Sequence, residues 1–378
     1  MIKFNRPYIT GHEIKYMEDA IQRRELSGDG HYTKACSKFI HQRMGKPTFL
    51  TNSGTDSLEM AAILANITAG DEVIMPSFTF VSTANAFMLR GATIKFVDSQ
   101  PNSPNMDEEL IEEQITEKTK AIVVVHYGGI ACDMDKIMSL SKKYNLYVIE
   151  DAAHAIDAYY KNKPLGTIGH FGAFSFHATK NIIAGEGGML LINHQEDVGR
   201  AEIIREKGTN RTSFFRGEID KYGWVDIGSS FLPSELTAAF LLAQLESLDL
   251  IQEKRIKVWN QYHSSLQEIA AKGFQLPVIP SYATNNAHLF YIICPSLEIR
   301  SKLIDFLAKE GIKAVFHYQS LSNSTFYKEQ SKVTPSRPLI NAERYSDLLV
   351  RLPLFPDLTQ EEVTHICDQV IHFVNQNH

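Results

Sequence analysis

The sequence predicts an α/β protein: a mostly parallel central sheet flanked by helices, then a smaller C-terminal α+β domain. Three observations predict it. Up to about residue 195, short runs of β-branched and apolar residues recur without a polar face, as in strands covered on both sides. Segments with apolar residues three and four apart separate the first four of these runs. Beyond residue 240 strand-like and helix-like stretches alternate again on a smaller scale. The chain has 378 residues, 44% of them apolar, enough for two domains or one large unit. The expected division is 1–245 and 246–378.

Element by element, Thr10-Gly11-His12-Glu13 has capping-box spacing and opens a helix carrying Ile14, Met17 and Ile21 on one face. Ser27-Gly28-Asp29-Gly30 breaks it, and Cys36, Phe39, Ile40 and Met44 mark a second helix. Strands are expected at Val73–Met75, Thr93–Val97, Ala121–Val125, Tyr147–Ile149, Ala173–Phe176 and Met189–Ile192, and helices at Leu58–Ala65, Ser82–Leu89, Leu110–Ile115 and Met134–Tyr144. A helix over 196–208, a polar loop over 209–230 and a long helical region from Ser234 to about Ala271 come next. The last part reads as a strand (Leu289–Cys294), a helix (Ile299–Glu310), a strand (Lys313–Val315) and a helix opened by the spacing Thr359 to Glu362.

Composition excludes several classes. With 38 Lys+Arg against 44 Asp+Glu the net charge is −6, which lacks the basic footprint of a nucleic-acid binder. No apolar run approaches the roughly 20 residues that span a bilayer, and Met1–Pro7 has no apolar core, so the expectation is a cytoplasmic protein away from membranes. Cys36, Cys132, Cys294 and Cys367 are far apart, expected as reduced buried thiols, and no metal is expected.

Four features fall at strand ends or the turns after them, where open α/β sheets place ligands. Asn52-Ser53-Gly54-Thr55-Asp56-Ser57 leads into a helix, whose first N–H groups suit a phosphate and equally suit an ordinary N-cap. Asp151 ends the apolar strand Tyr147–Ile149, either facing a ligand or capping the next helix. Lys180, in Phe174-Ser175-Phe176-His177-Ala178-Thr179-Lys180-Asn181, is a Schiff-base amine if buried, or a snorkelling side chain if not. Gly185-Glu186-Gly187-Gly188 lets backbone pass close to something. Neither the dinucleotide glycine fingerprint nor a P-loop is present, which disfavours a nicotinamide or nucleoside-triphosphate protein.

A phosphate cradle, a strand-end aspartate and a lysine are together what holds pyridoxal 5′-phosphate (PLP). Gly54-Thr55-x-Ser57-Leu58, Pro76-Ser77-Phe78-Thr79-Phe80, Glu150-Asp151-Ala152-Ala153, Phe174 to Asn181 and Glu186-Gly187-Gly188, in this order, resemble the DegT/DnrJ/EryC1/StrS family of sugar aminotransferases, PLP enzymes of fold type I. Phe4-Asn5, Leu26 to Gly30, Ser82 to Phe87, Arg205 to Arg211, Asp226 to Ser230 and Phe316-His317-Tyr318 resemble most its branch forming dTDP-4-amino-4,6-dideoxygalactose.

The resemblance implies that Lys180 binds PLP as an internal aldimine and then shuttles a proton, and that Asp151 pairs with the pyridinium nitrogen. It implies Phe80 stacked on the ring, His154 near the phenolate oxygen, and Gly54, Thr55 and Ser175 on the phosphate. Ser230, where many members have Asn, is expected on the cofactor phosphate of a second subunit in a homodimer with shared active sites. Ser27, Arg211, Arg216, His317 and Tyr318 are the substrate-binding candidates. Arg205, Lys207, Arg211, Arg216 and Lys221 make 205–224 a basic loop, suited to a diphosphate or simply solvated. The implied reaction carries the amino group of L-glutamate to C4 of dTDP-4-dehydro-6-deoxy-D-glucose, for a lipopolysaccharide sugar. Formation of the gluco epimer, or amination at C3, is the rival.

Overall fold

The computed structural model of the chain describes residues 1–330 and 337–377. The central sheet contains β1 (Thr48–Thr51), β2 (Glu72–Pro76), β3 (Thr93–Val97), β4 (Thr119–Val125), β5 (Tyr147–Asp151), β6 (Phe171–Ser175) and β7 (Gly188–Ile192), in spatial order β1-β7-β6-β5-β4-β2-β3. Only β7 runs against its neighbours, so the others all end at one edge. The strands are unpatterned because both faces are covered. In β4, Val123 packs into one apolar cluster while Ile122 and Val124 pack into the other, all with no solvent exposure.

The helices before and among these strands are α1 (Glu13–Arg23), α2 (His31–Met44), α3 (Gly54–Leu64), α4 (Val81–Met88), α5 (Met134–Tyr144), α6 (Val198–Arg205), α7 (Arg211–Phe215) and α8 (Glu235–Glu246). The capping-box spacing before α1 is half realised: the Glu13 carboxylate accepts from the N–H groups of Thr10 (2.8 Å) and Gly11 (2.9 Å). The expected helix at Leu110–Ile115 is instead a pair of 3₁₀ turns, Glu108–Leu110 and Glu112–Gln114. Six residues form too few turns to offset helix nucleation, and the Asp107 side chain accepts from Glu109 N–H to begin the tighter turn. The loop expected at 209–230 contains the short α7. The long helical region is interrupted at Ser247, outside helical geometry (φ −100°, ψ 10°), between α8 and α9 (Leu248–Ser265).

The rest of the chain builds a second, antiparallel sheet from β8 (Phe290–Ile293), β9 (Val315–Phe316) and β10 (Leu349–Leu352), ordered β8-β10-β9. It is accompanied by α10 (Leu297–Lys309), α11 (Thr325–Gln330), α12 (Ile340–Leu348) and α13 (Gln360–Asn377). At the start of α13 the capping box is complete, Thr359 N–H to Glu362 at 3.0 Å and Glu362 N–H to Thr359 Oγ1 at 3.2 Å. The strand expected at Lys313–Val315 lies two residues later, and β10 carries no strand pattern of its own. An apolar cluster runs from Val73 and Met75 under the first sheet through to Leu289, Tyr291 and Leu349 of the second, so β10 is joined to the main core. All four cysteines are buried and unpaired. Among the described residues no helix is long and apolar enough to cross a membrane.

Candidate active site

Asp151 ends β5 and Lys180 comes just after β6, its parallel neighbour. Adjacency of two strands brings together two residues far apart in sequence, and both line one cavity of about 690 Å³. Gly54, Thr55, Phe80, His154, Ser175, His317 and Tyr318 line the same cavity. Nine of the residues expected from the sequence thus line one cavity.

The N-terminus of α3 is pressed against the strand ends. Ser53 caps it by accepting from Asp56 N–H at 3.0 Å, leaving the first N–H groups without intrahelical partners. A Cβ on Gly54 would lie 2.8 Å from the Ser175 Cβ, and one on Gly188 would lie 2.1 Å from the Ser53 carbonyl oxygen. Gly188 is there because backbone must approach backbone, and Gly54 because a side chain would run into Ser175. The result is a cradle in which a helix terminus and the Ser175 hydroxyl converge, with Thr55 Oγ1 tied to Ser82 Oγ at 2.8 Å.

Asp151 is 6% exposed. Its carboxylate accepts from Thr83 Oγ1 at 2.7 Å and from Ala153 N–H at 3.2 Å. Burial raises its pKa above the ordinary carboxylate value, opposed by those two hydrogen bonds and by the charges of Lys180 and His126. Burial also pulls Lys180 down to about 8; Asp151 pushes it back up and Arg351 adds to the lowering. An amine that titrates near neutrality can act as a nucleophile and as a proton carrier. The adjacent Glu150 serves the fold instead. Its fully buried carboxylate accepts from Gly166, Ile168 and Gly169 N–H and faces His126 Nε2 at 3.0 Å, which shapes the loop before β6.

His154 is stacked on His288 (centroids 4.0 Å apart, 21° between planes). Burial drives its pKa well below the ordinary histidine value, with Lys180 and Arg351 contributing, so the ring is neutral. Its Nδ1 accepts from Gly128 N–H at 3.3 Å, which leaves the proton on Nε2, 3.4 Å from the Tyr318 hydroxyl. His317, also buried, shares a 2.7 Å hydrogen bond with Tyr127 Oη. Phe80 stands at the cavity mouth, 54% exposed, its ring 6.1 Å from that of Tyr318.

The remaining candidates, Ser27, Arg211, Arg216 and Ser230, lie apart from Lys180 in this chain. They line a second cavity of about 840 Å³ with Arg205 and Lys207. Its arginines have acid partners: Arg216 pairs with Glu202 (3.0 Å) and Glu218 (2.7 Å), Arg211 with Glu206 (3.6 Å) and Arg205 with Asp29 (2.9 Å).

Thr83, Tyr127, His288 and Arg351 are site residues that sequence reasoning did not single out. Arg351 alone carried a signal, a single charge inside the apolar run Leu349-Val350-Arg351-Leu352. Thr83 falls in the Ser82–Phe87 stretch of the resemblance but with no role of its own there; Tyr127 and His288 have ordinary surroundings in the sequence, and all three become site residues only through their partners.

A phosphate cradle, a neutral imidazole, a buried carboxylate and an amine titrating near 8, converging on one cavity, fit PLP. The comparisons with known proteins agree. A family model described as the DegT/DnrJ/EryC1/StrS aminotransferase family matches residues 7–371. The spore coat polysaccharide biosynthesis protein SpsC of Bacillus subtilis is 30% identical over 98% of this chain and 96% of its own length. GDP-perosamine synthase of Escherichia coli O157:H7 is 31% identical over 97% of each. A Streptococcus pneumoniae protein, solved in apo, PLP and PMP (pyridoxamine phosphate) forms, superposes in its PMP form with a TM-score of 0.91 at 28% identity, over 100% of both chains.

Proposed function

The chain belongs to the DegT/DnrJ/EryC1/StrS family of PLP-dependent sugar aminotransferases, and from that premise we propose that it moves the amino group of L-glutamate to C4 of dTDP-4-dehydro-6-deoxy-D-glucose. The products are 2-oxoglutarate and dTDP-4-amino-4,6-dideoxy-D-galactose, an amino sugar for a lipopolysaccharide. The observation that carries the reading is the shared cavity of Lys180 and Asp151 beside the α3 terminus.

Bound PLP supplies an aldehyde for the donor amine and a ring that accepts electrons. The chain supplies the rest. Lys180 Nζ would hold the cofactor through its aldehyde and, once free, would carry a proton from the donor Cα to the cofactor and, in the second half-reaction, from the cofactor to the sugar C4. Asp151, fixed by Thr83 and Ala153, would pair with the ring nitrogen and keep it protonated. The α3 N–H groups and Ser175 would hold the phosphate, His154 would lie near the ring oxygen with Nε2–H to donate, and Phe80 would cover a ring face. Ser27, His317, Tyr318, Arg211 and Arg216 complete the substrate site.

Because Ser27, Arg211, Arg216 and Ser230 line a separate cavity, the proposal includes a homodimer in which they serve the partner's active site. The same loop region exposes Phe215, Trp224 and Val225, apolar surface that a partner would cover. The two-domain division at 245/246 belongs to the same proposal.

An absorbance spectrum of the purified protein tests this. L-glutamate should convert the cofactor to its amine form, and dTDP-4-dehydro-6-deoxy-D-glucose should restore it; the GDP-linked keto sugar is the control for the base. Product NMR with an axial amine at C4 supports the galacto product. An equatorial amine, or amination at C3, would replace that product, and a colourless protein would overturn the assignment.

A further inference from the structure

His154 has a role in this reading, and the ring stacked on it, His288, has none. His288 lines the same cavity from the segment between α9 and β8. That segment is held in a strained shape: Ala287 sits at φ 50°, a conformation that residues with a side chain rarely adopt. Arg255, buried on α9, fixes the turn. Its Nε donates to the Ala287 carbonyl at 3.0 Å and its Nη2 to the His288 carbonyl at 2.7 Å, and among the described residues it has no acid partner. Asn286 Nδ2 donates to the carbonyls of His154 (2.7 Å) and Ile156 (2.8 Å), which joins the turn to the loop after β5.

Asn181, next to Lys180 in the chain and 3% exposed, completes the network. Its Nδ2 donates to the Asn286 carbonyl at 2.8 Å and to Gln252 Oε1 at 2.9 Å. A backbone carbonyl can only accept, so the amide has one orientation, and its Oδ1 faces His288 Nδ1 at 2.8 Å. His288 therefore carries its proton on Nδ1. Burial holds its pKa well below the ordinary histidine value, with His154, Lys180, Arg255 and Arg351 adding to the lowering, so the ring is neutral and Nε2 is bare. His154 is the opposite tautomer, protonated on Nε2, and two neutral rings stack at 4.0 Å without charge repulsion.

We propose that Asn181, acting through His288, is a positioning residue that holds the His154 ring in register with Lys180. This rests on the PLP reading above. The aldehyde and the ring oxygen of PLP stand on adjacent ring carbons, so the amine that serves one and the N–H that serves the other must keep a fixed separation. Asn181 is joined to Lys180 by the peptide bond and to the support of His154 by a hydrogen bond, so it ties the two together. An aspartate there would draw a second proton onto His288 and set a cation against His154. A leucine would leave the His288 Nδ1–H unpaired in the core.

Nitrogen NMR of the full chain labelled with ¹⁵N-histidine tests the tether in the cofactor-free protein. His288 should be neutral with its proton on Nδ1 and His154 neutral with its proton on Nε2, both unchanged between about pH 6 and pH 9. In Asn181→Ala the His288 proton should no longer be confined to Nδ1. The second readout is the dissociation constant of PLP, followed by absorbance in a double-mutant cycle. Asn181→Ala and His288→Leu should each weaken PLP binding about 5- to 10-fold, the scale of one hydrogen bond. In a His154→Gln background, which lacks the ring they support, the same substitutions should cost less than about twofold. A wild-type His288 protonated on Nε2, or a loss that persists in full beside His154→Gln, overturns the proposal. Should either variant fail to fold, Asn181→Ser and His288→Phe with wild-type circular dichroism close the same cycle. A wild-type chain that binds no PLP removes the underlying reading instead.

Discussion

The cavity around Lys180 and the cavity around Arg211 are of similar size, about 690 and 840 Å³, yet they are built in opposite ways. The first is set by strand ends: β5 delivers Asp151, β6 leads to Lys180, and a helix begun from β1 is wedged against both. Its polar groups are buried, positioned by hydrogen bonds from neighbouring elements, and shifted in pKa by that burial. The second cavity is set by a loop. Its arginines are half-exposed apart from Arg205, and they are paired with nearby acids such as Glu202 and Glu218. A group fixed by a sheet and removed from water has its chemistry changed by the fold. A group on a solvated loop largely keeps its own.

That contrast predicts an order of effects. Lys180→Ala should lower the amination rate by about 10⁴-fold, because nucleophile and proton carrier are lost together, and the purified variant should show altered cofactor absorbance. Asp151→Asn should cost about 10²- to 10³-fold in kcat, the scale for losing a preorganised electrostatic partner. Thr83→Val removes one hydrogen bond to Asp151, pushes that carboxyl further up, and should lower kcat about 10-fold with little change in KM. Smallest is Arg216→Ala, which should raise KM for the nucleotide sugar about 3- to 10-fold and shift stability by no more than about 1 kcal/mol, as for other exposed ion pairs. An Arg216→Ala loss in kcat as large as that of Asp151→Asn would break the contrast.

The lysine pKa sharpens it. Cofactor capture by apoprotein needs the neutral amine, so its rate should rise with pH and level off above about 8. The Arg351 charge lowers that pKa, so Arg351→Gln should move the midpoint to higher pH. Absorbance-monitored reconstitution across pH reads both, and an unmoved midpoint would show that the two groups do not sense each other.

Much of the fold could be read from the sequence, for reasons tied to particular residues. The unpatterned apolar runs of β4 and β5 announce two-sided burial, and Thr359 and Glu362 announce a helix that does begin there. The second sheet was harder. β10 is four residues long and adjoins the end of α12 directly, so no turn residue separates a helical from a strand pattern. The Leu110–Ile115 segment failed for the opposite reason: its apolar spacing is helical, but it is too short to sustain a helix.

The site divides along the same line. Gly54, Asp151 and Lys180 could be singled out because each lies at a helix start, a strand end or in the turn after a strand, although a cap or a solvated lysine fitted each local pattern too and only the family resemblance joined the three. Thr83, Tyr127, His288 and Arg351 could not, because what defines each is a contact across 68, 190, 134 or 347 residues, with Asp151, His317, His154 and Phe4 respectively. Hydrophobic period, turn chemistry and cap residues are short-range properties, and sequence by itself determined what depends on them: the strands, the helices and the kind of chemistry at their ends. Which groups meet, which charge is left unpaired, and how far burial moves a proton affinity depend on desolvation and on distances between remote segments. Only the packed tertiary structure decided those.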